Sequence, residues 1–214
     1  MQPGQPKWRR RSEARPGEIT RAALDVFAEK GFAAAKLDEI AARAGISKGA
    51  LYLYFETKED IFRAVVRESV APNLDMAETI LAQTTLPFAD MMRLMFGRVG
   101  EVAETTRLGA VIKLVIGESR NFPELARVWH DEVVSRTLSA LSGALSRAQA
   151  RGELRQGDPR LQAFSLMGPL LMGVVWRETF VPVGAPDLDL KALIAQHGET
   201  VLAGLAPAQS GASA

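Results

Sequence analysis

Apolar residues recur at three- and four-residue spacing along most of this chain and nowhere in strict alternation, a pattern that predicts helices and no strands. The first stripe, Ile19, Ala22, Ala23, Val26 and Phe27, begins after Pro16 and ends at Gly31, predicting a helix of about 14 residues. Leu37, Ile40, Ala41 and Ala44 form a second, shorter stripe closed by Gly45. Ser47 then opens a third helix as its N-cap, its hydroxyl able to accept a free backbone N–H. Thr57-Lys58-Glu59-Asp60 resembles a capping box with Asp in place of Glu, and starts a long helix carrying Ile61, Phe62, Val65, Val66, Leu74, Ala77 and Ile80. Pro72 falls inside that stripe and should kink or interrupt the helix, because it has no N–H to donate and its ring crowds the preceding turn. Further helices are expected over Phe88 to Ala103, Leu108 to Gly117, Pro123 to Arg151, Pro159 to Phe180 and Leu188 to Leu205.

The expected fold class is therefore all-α, with about nine helices. Residues 1–15 read as a basic flexible arm, 16–62 as a three-helix head, 63–206 as a helical domain joined to the head through helix four, and 207–214 as a flexible tail. Composition agrees with a soluble globular protein, at 47% hydrophobic and 24% charged residues. The greasiest stretch, Phe164 to Trp176, spans 13 residues interrupted by Pro169, too short for a bilayer, and residues 1–15 show no apolar secretion signal. No membrane partner is expected, and the expected location is the cytoplasm. There is no cysteine, which excludes disulfides and thiolate chemistry.

Charge sharpens the division. The chain carries a net charge of +1, but residues 1–58 hold 11 Lys or Arg against 7 Asp or Glu, and residues 59–214 hold 15 against 18. Positive charge is concentrated in the head, the kind of surface that attracts polyanions.

Two short helices separated by Gly45-Ile46, the second capped by Ser47, make a helix-turn-helix, whose second helix enters a DNA major groove. At 100° per residue, Ser47, Leu51 and Phe55 point inward, leaving Gly49 and Leu53 outward with Ala50 and Tyr52 beside them. An outward leucine and tyrosine suit DNA better than water: glycine permits close backbone approach, and apolar side chains can touch thymine methyls. Lys48 and Lys58 are placed for phosphates. The tyrosines have core packing as their alternative role.

The string Ile40-Ala41-Ala42-Arg43-Ala44-Gly45-Ile46-Ser47-Lys48-Gly49-Ala50-Leu51-Tyr52-Leu53-Tyr54-Phe55, with Thr57-Lys58-Glu59 and the upstream Phe27-Ala28-Glu29-Lys30-Gly31-Phe32, closely resembles the TetR family signature. That resemblance implies a homodimeric transcriptional repressor that binds a palindromic operator in double-stranded DNA and is released by a small ligand. It also assigns the hydroxyls of Tyr52 and Tyr54 to phosphates. Two positions depart from the family pattern. Lys36 stands where the family places a Thr or Ser cap, and can supply a phosphate contact instead, although a cation sits poorly at a helix N-terminus. Leu53 stands where a polar or aromatic residue is commoner. Direct base hydrogen bonding is thin, so affinity should lean on phosphates and DNA shape, with Arg9, Arg10 and Arg11 reaching a minor groove.

For the C-terminal domain the resemblance implies ligand binding and dimerisation. The stretch from Phe122 to Arg127 and on through Arg151-Gly152-Glu153-Leu154 looks like one common TetR C-terminal subtype. Its last two long helices should pair with those of a second subunit, with Phe164, Leu171, Val175, Leu190, Ile194, His197 and Val201 as interface candidates. A small hydrophobic or amphipathic ligand would lie among Phe88, Met91, Met92, Met95, Phe96, Ile112, Ile116, Trp129, Met167, Met172 and Trp176, since methionines are adaptable packers that also line promiscuous sites. Ordinary core packing is the alternative for each. No cofactor is expected. An enzyme has little to work with: two histidines, His130 and His197, and no metal-ligand spacing, phosphate loop or nucleophile motif. An activator or architectural DNA binder would share the same head.

Overall fold

The computed structural model describes residues 15–83 and 85–207. Arg9, Arg10 and Arg11, the rest of the expected arm to residue 14, and the expected tail from residue 208 lie outside the described residues. Among the described residues there are eleven α-helices and no strand: α1 (Arg15–Ala34), α2 (Leu37–Arg43), α3 (Lys48–Tyr52), α4 (Lys58–Ser69), α5 (Ala71–Gln83), α6 (Phe88–Thr105), α7 (Leu108–Glu118), α8 (Pro123–Trp129), α9 (Ser135–Ala150), α10 (Pro159–Val175) and α11 (Leu190–Leu205). The count exceeds nine because two expected helices are divided. The long fourth stops at Ser69 and restarts at Ala71, which puts Pro72 in a first turn where a missing N–H costs nothing. The stretch expected from Pro123 to Arg151 is split by a π turn over His130–Val134, and a second π turn, Trp176–Phe180, follows α10. Among the described residues, no helix is long and apolar enough to cross a membrane.

The chain forms two compact units. The first comprises residues through Ser69 together with Leu114–Trp129, and the second comprises Val70–Lys113 with the residues from His130 onward. The division thus falls later than the expected boundary at 62/63, because the apolar stripe of α4 continues past Phe62. Ile61, Phe62, Val65 and Val66 are all buried, and α4 packs on α1. The return of Leu114–Trp129 to the first unit was not expected at all. Its reason is packing: Leu125 is buried on α8, which lies against α4, and the Phe122 ring meets Phe32 edge-on at 5.0 Å.

The first unit is organised around Phe32, whose ring also contacts Phe27 at 5.2 Å and Phe62 at 6.3 Å. Ile19, Ala23, Val26, Ile40 and Leu51 complete the core. The capping box at α4 forms as expected: the Asp60 carboxylate accepts from the N–H of Thr57 at 3.1 Å, and the Thr57 hydroxyl accepts from the N–H of Asp60 at 3.1 Å.

In the second unit, α6 packs against α11, and α10 packs against α9 and α11. Phe88, Met91, Met92, Met95 and Phe96 on α6 meet Leu141 and Leu145 on α9 and Ile194, Leu202 and Leu205 on α11 in one continuous core. Gly198 allows the close crossing of α6 and α11, since a Cβ there would lie 2.6 Å from the Phe96 ring. Arg136 on α9 binds both oxygens of Glu78 on α5 at 2.9 and 2.6 Å, and Asp75 at 2.5 Å, which ties those helices together.

Candidate nucleic-acid interface

The local sequence sets the pose of α2 and α3. Gly45 adopts φ 68, a left-handed conformation that ends α2 without steric penalty. Ile46 N–H returns to the carbonyl of Ala41 at 3.0 Å. Ser47 caps α3, its hydroxyl accepting from Ala50 N–H at 3.1 Å. Leu51 is the inward anchor at 0% exposure, and Phe55 is half-buried behind it. Ser47 itself stays exposed, so the inward face predicted for α3 is narrower than its helical wheel suggests.

The outward face matches the expectation closely. Leu53 is 83% exposed and Tyr52 46%, with Gly49 exposed and Ala50 and Tyr54 half-buried. A Cβ at Gly49 would meet nothing within 4 Å, so the fold does not require glycine there. The open backbone is instead suited to close approach by a partner. Ion pairs tie α2 to α1 and to α3. Arg43 on α2 makes a two-pronged contact with Glu29 on α1 at 2.6 and 2.8 Å, and Lys30 pairs with Glu39 at 2.7 Å. Lys48 at the start of α3 pairs with Asp38 at 2.8 Å, and that hydrogen bond raises the ammonium above its ordinary pKa. Both side chains are more than half exposed, so a phosphate can compete for this lysine. Lys36 occupies the N-cap position of α2 with its side chain exposed and no capping hydrogen bond, as expected of a cation at that place.

Lys58 requires a correction. Its Nζ donates to the carbonyl oxygens of Phe32 at 2.7 Å and Ala33 at 3.2 Å, and lies 4.8 Å from the Phe32 ring centroid. Expected on a phosphate, it is instead occupied inside the first unit, because α4 starts beside the end of α1. Glu118 was missed by sequence reasoning. It accepts from the N–H of Phe32 and Ala33 from 86 and 85 positions away. A carboxylate in the last turn of a helix, where the dipole disfavours it, was the available signal that it needed a partner.

The candidates of the C-terminal domain are less coherent. Ile116 and Trp129 belong to the first unit, and Ile116 is 54% exposed. Phe88, Met91, Met92, Met95, Phe96 and Ile112 are buried in the second unit, and Met167 packs against its core. Met172 turns outward at 55% exposure, and half-buried Trp176 donates its indole N–H to the carbonyl of Pro186 at 2.9 Å. A groove of about 460 Å³ between α5 and α9, lined by residues including Glu78, Ser135, Arg136 and Arg147, contains none of the candidates.

The dimer set also divides. Phe164 and Leu171 are exposed on α10 at 51% and 47%, with Val175 half-buried. Leu190 and Ile194 are 1% and 2% exposed within the chain's own core, and Val201 packs against that core. His197 sits against Phe96 at 6.0 Å with its Nε2 3.2 Å from the carbonyl of Leu166. The stripe chosen on α11 is therefore the inward one, since a stripe does not reveal which core it serves. His130 is exposed beside Asp131, and among the described residues no group of three or more His, Asp or Glu is gathered for a metal.

Comparison with known proteins fits this arrangement. Residues 19–65 match the profile of bacterial regulatory proteins of the tetR family, and residues 90–197 match the C-terminal domain of AefR-like transcriptional repressors. The chain is 26% identical over 154 residues to the fatty acid metabolism regulator protein of Bacillus subtilis, covering 72% of this chain and 78% of that protein. It is 30% identical over 152 residues to the HTH-type transcriptional repressor BepR of Brucella suis, covering 68% and 73%. Among solved structures, the SmeT–triclosan complex superposes with a TM-score of 0.74 at 27% identity, over 92% of this chain and 93% of that one. SmeT is the repressor of a multidrug efflux pump of Stenotrophomonas maltophilia.

Proposed function

Because the chain belongs to the TetR family of bacterial transcriptional regulators, we propose that it works as a homodimeric repressor that occupies a palindromic operator and leaves it when a small apolar or amphipathic ligand binds. The observation that carries the DNA half of this reading is the bare outward face of α3: Leu53, Tyr52 and Gly49 exposed beside Lys48. A leucine 83% open to water at the C-cap of so short a helix gains nothing from solvent, whereas thymine methyls in a major groove would cover it. Lys36 and Lys48, both exposed, would take phosphates, as would the hydroxyls of exposed Tyr52 and half-buried Tyr54.

Dimerisation is supported by α10. Leu161, Phe164, Leu171 and Met172 are all exposed, and no charged residue occurs between Leu161 and Trp176. A dimer carries two heads, and an operator read by both has its half-sites on successive major grooves, about 34–36 Å apart. For the ligand, the support is the methionine-rich core of α6 and the apolar compound in the related SmeT complex. Met91, Met92 and Met95 can rearrange to admit a guest, and a guest that binds one conformer better shifts the population toward it.

Selection of bound fragments from genomic DNA tests this directly. A palindromic motif with half-sites one turn apart is expected, and triclosan or a long-chain acyl thioester tests whether bound DNA is released. Absence of any enriched palindrome would overturn the operator assignment. An activator would use the same head, and the position of the enriched motif relative to the promoter distinguishes the two.

A further inference from the structure

The turn that carries the chain from α1 into α2 is held by two charged side chains from distant positions. Helical geometry breaks at Gly31, with φ 75 and ψ 171, and the N–H and C=O groups of Phe32 and Ala33 turn to partners outside their own helix. Oε1 of Glu118, the last residue of α7, accepts from Phe32 N–H at 2.9 Å and from Ala33 N–H at 3.4 Å. On the other side of the same two peptides, Lys58 Nζ donates to both carbonyls. All four backbone polar groups are thus satisfied by two ions. Gly31 is favoured by its left-handed φ, and a Cβ there would lie 2.8 Å from Oε1 of Glu118 and push that carboxylate from its place.

This grip has a consequence for α2. The helix starts at Leu37 behind Lys36, which makes no capping bond, so its N-terminus lacks the side-chain hydrogen bond that commonly fixes such a start. The nearest anchored backbone upstream is the Phe32–Ala33 strip, with the Phe32 ring fully buried and Ala35 at 3% exposure. From there α2 leads directly to α3, to which it is bridged by the Asp38–Lys48 pair. The turn that leads into α2 and α3 is thus held in part by a residue outside the 19–65 segment that matches the DNA-binding profile.

We infer that Glu118 is a positioning residue for DNA recognition: by holding the backbone of Phe32 and Ala33 it fixes where α2, and with it the outward face of α3, is presented to base edges. The inference rests on the operator-binding reading above. It also makes a distinction that simple destabilisation would not. Base contacts require placement to a fraction of an ångström, whereas lysines reaching phosphates tolerate a shifted helix. Loss of the grip should lower specific affinity and leave non-specific affinity in place.

The test uses the full-length chain with Glu118→Ala, Glu118→Gln and Glu118→Asp, titrated against its selected operator and against scrambled duplex, with melting temperatures measured alongside. Glu118→Ala should lose about tenfold in operator affinity, a fraction of the usual gap between specific and non-specific binding, with scrambled-duplex affinity unchanged within about twofold. Glu118→Gln retains an oxygen that accepts both N–H groups and should stay within about threefold of the wild type, since only the charge-assisted part of the bonds is lost. Glu118→Asp keeps the charge without the reach and should resemble the alanine variant; it decides the matter should the alanine variant be unfolded at the assay temperature. An unchanged ratio of specific to non-specific affinity in the folded alanine or aspartate variant overturns the inference, as does failure of glutamine to rescue. Failure of the operator reading itself would appear separately, as a wild-type chain with no preferred site.

Discussion

Two stretches of this chain hold large apolar side chains out to solvent, and they differ in what surrounds them. At α3, Tyr52 on the last turn and Leu53 at the C-cap share a five-residue helix and its end with exposed Lys48 and Gly49, within the cationic N-terminal part of the sequence. On α10, Leu161, Phe164, Leu171 and Met172 stand on a 17-residue helix whose sequence from Leu161 onward has no charged residue. Exposed apolar area alone signals a partner without naming it. The neighbours choose: cations and open backbone favour a polyanion with methyl-bearing grooves, whereas an uncharged stripe favours another stripe like itself. The contrast teaches that the chemistry around a bare hydrophobe is more informative than the hydrophobe.

The largest effect should come from breaking the α10 face. Phe164→Asp with Leu171→Asp puts carboxylates on two exposed positions, so the fold of the second unit should survive while association is lost. Without avidity between two half-sites, operator affinity should fall on the order of 100-fold or more. Sedimentation would report the monomer, and operator titration the loss. A dimer that persists in the double variant would show that the α10 stripe is not the contact between copies.

A smaller change on α3 should act on sequence preference. Leu53→Ala should cost about 1 kcal/mol of operator affinity, roughly fivefold, in proportion to the apolar area no longer covered. The loss should be mirrored by replacing one thymine with uracil in each half-site, because uracil lacks the methyl. Additive losses from the two changes would mean that Leu53 touches something other than that methyl.

The lysines give a third, finer contrast. Lys48→Met should reduce the salt dependence of binding by about one counterion per head. Lys58→Met should leave that slope unchanged and lower the melting temperature instead, since two carbonyls lose their donor at a cost of about 1–3 kcal/mol. A reduced slope for Lys58→Met would restore the phosphate role expected from its sequence position.

That last pair shows where sequence reasoning succeeded and where it ran out. Local devices were readable because their causes are local: the Ser47 cap, the Thr57–Asp60 box, the break near Pro72 and the outward Leu53 each follow from residues within a turn of one another. Lys58 and Glu118 were misread or missed because their partner is the same dipeptide, reached only after the chain has folded back. The α11 stripe fails for a different reason. Leu190 and Ile194 have the right spacing for any buried face, and periodicity does not say whether the burying surface is the same chain or another. The methionines of α6 share that ambiguity: spacing marks them as covered, and here their cover is Leu141, Leu145 and Ile194.

The smallest expected effect extends the comparison inward, to how each unit anchors a backbone start. As Glu118 does at Phe32 in the first unit, Glu153 in the second accepts a backbone N–H, that of Phe88 at 2.6 Å, where Pro87 offers α6 no side-chain cap. The guanidinium of Arg151, bonded to the same carboxylate at 2.5 Å, and then the Phe88 N–H hold the Glu153 carboxyl below its ordinary pKa. A depressed carboxyl contributes stability that is complete above its unfolded pKa, about 4.3, and is lost as pH falls through the lower folded value. Glu153→Gln keeps an acceptor for Phe88 but no charge for Arg151. Its melting temperature should therefore lie slightly below wild type at pH 7, and the gap should narrow as pH falls below about 4. Thermal melts across pH 7 to 3 would show this, and a gap independent of pH would mean that Glu153 acts through packing rather than charge.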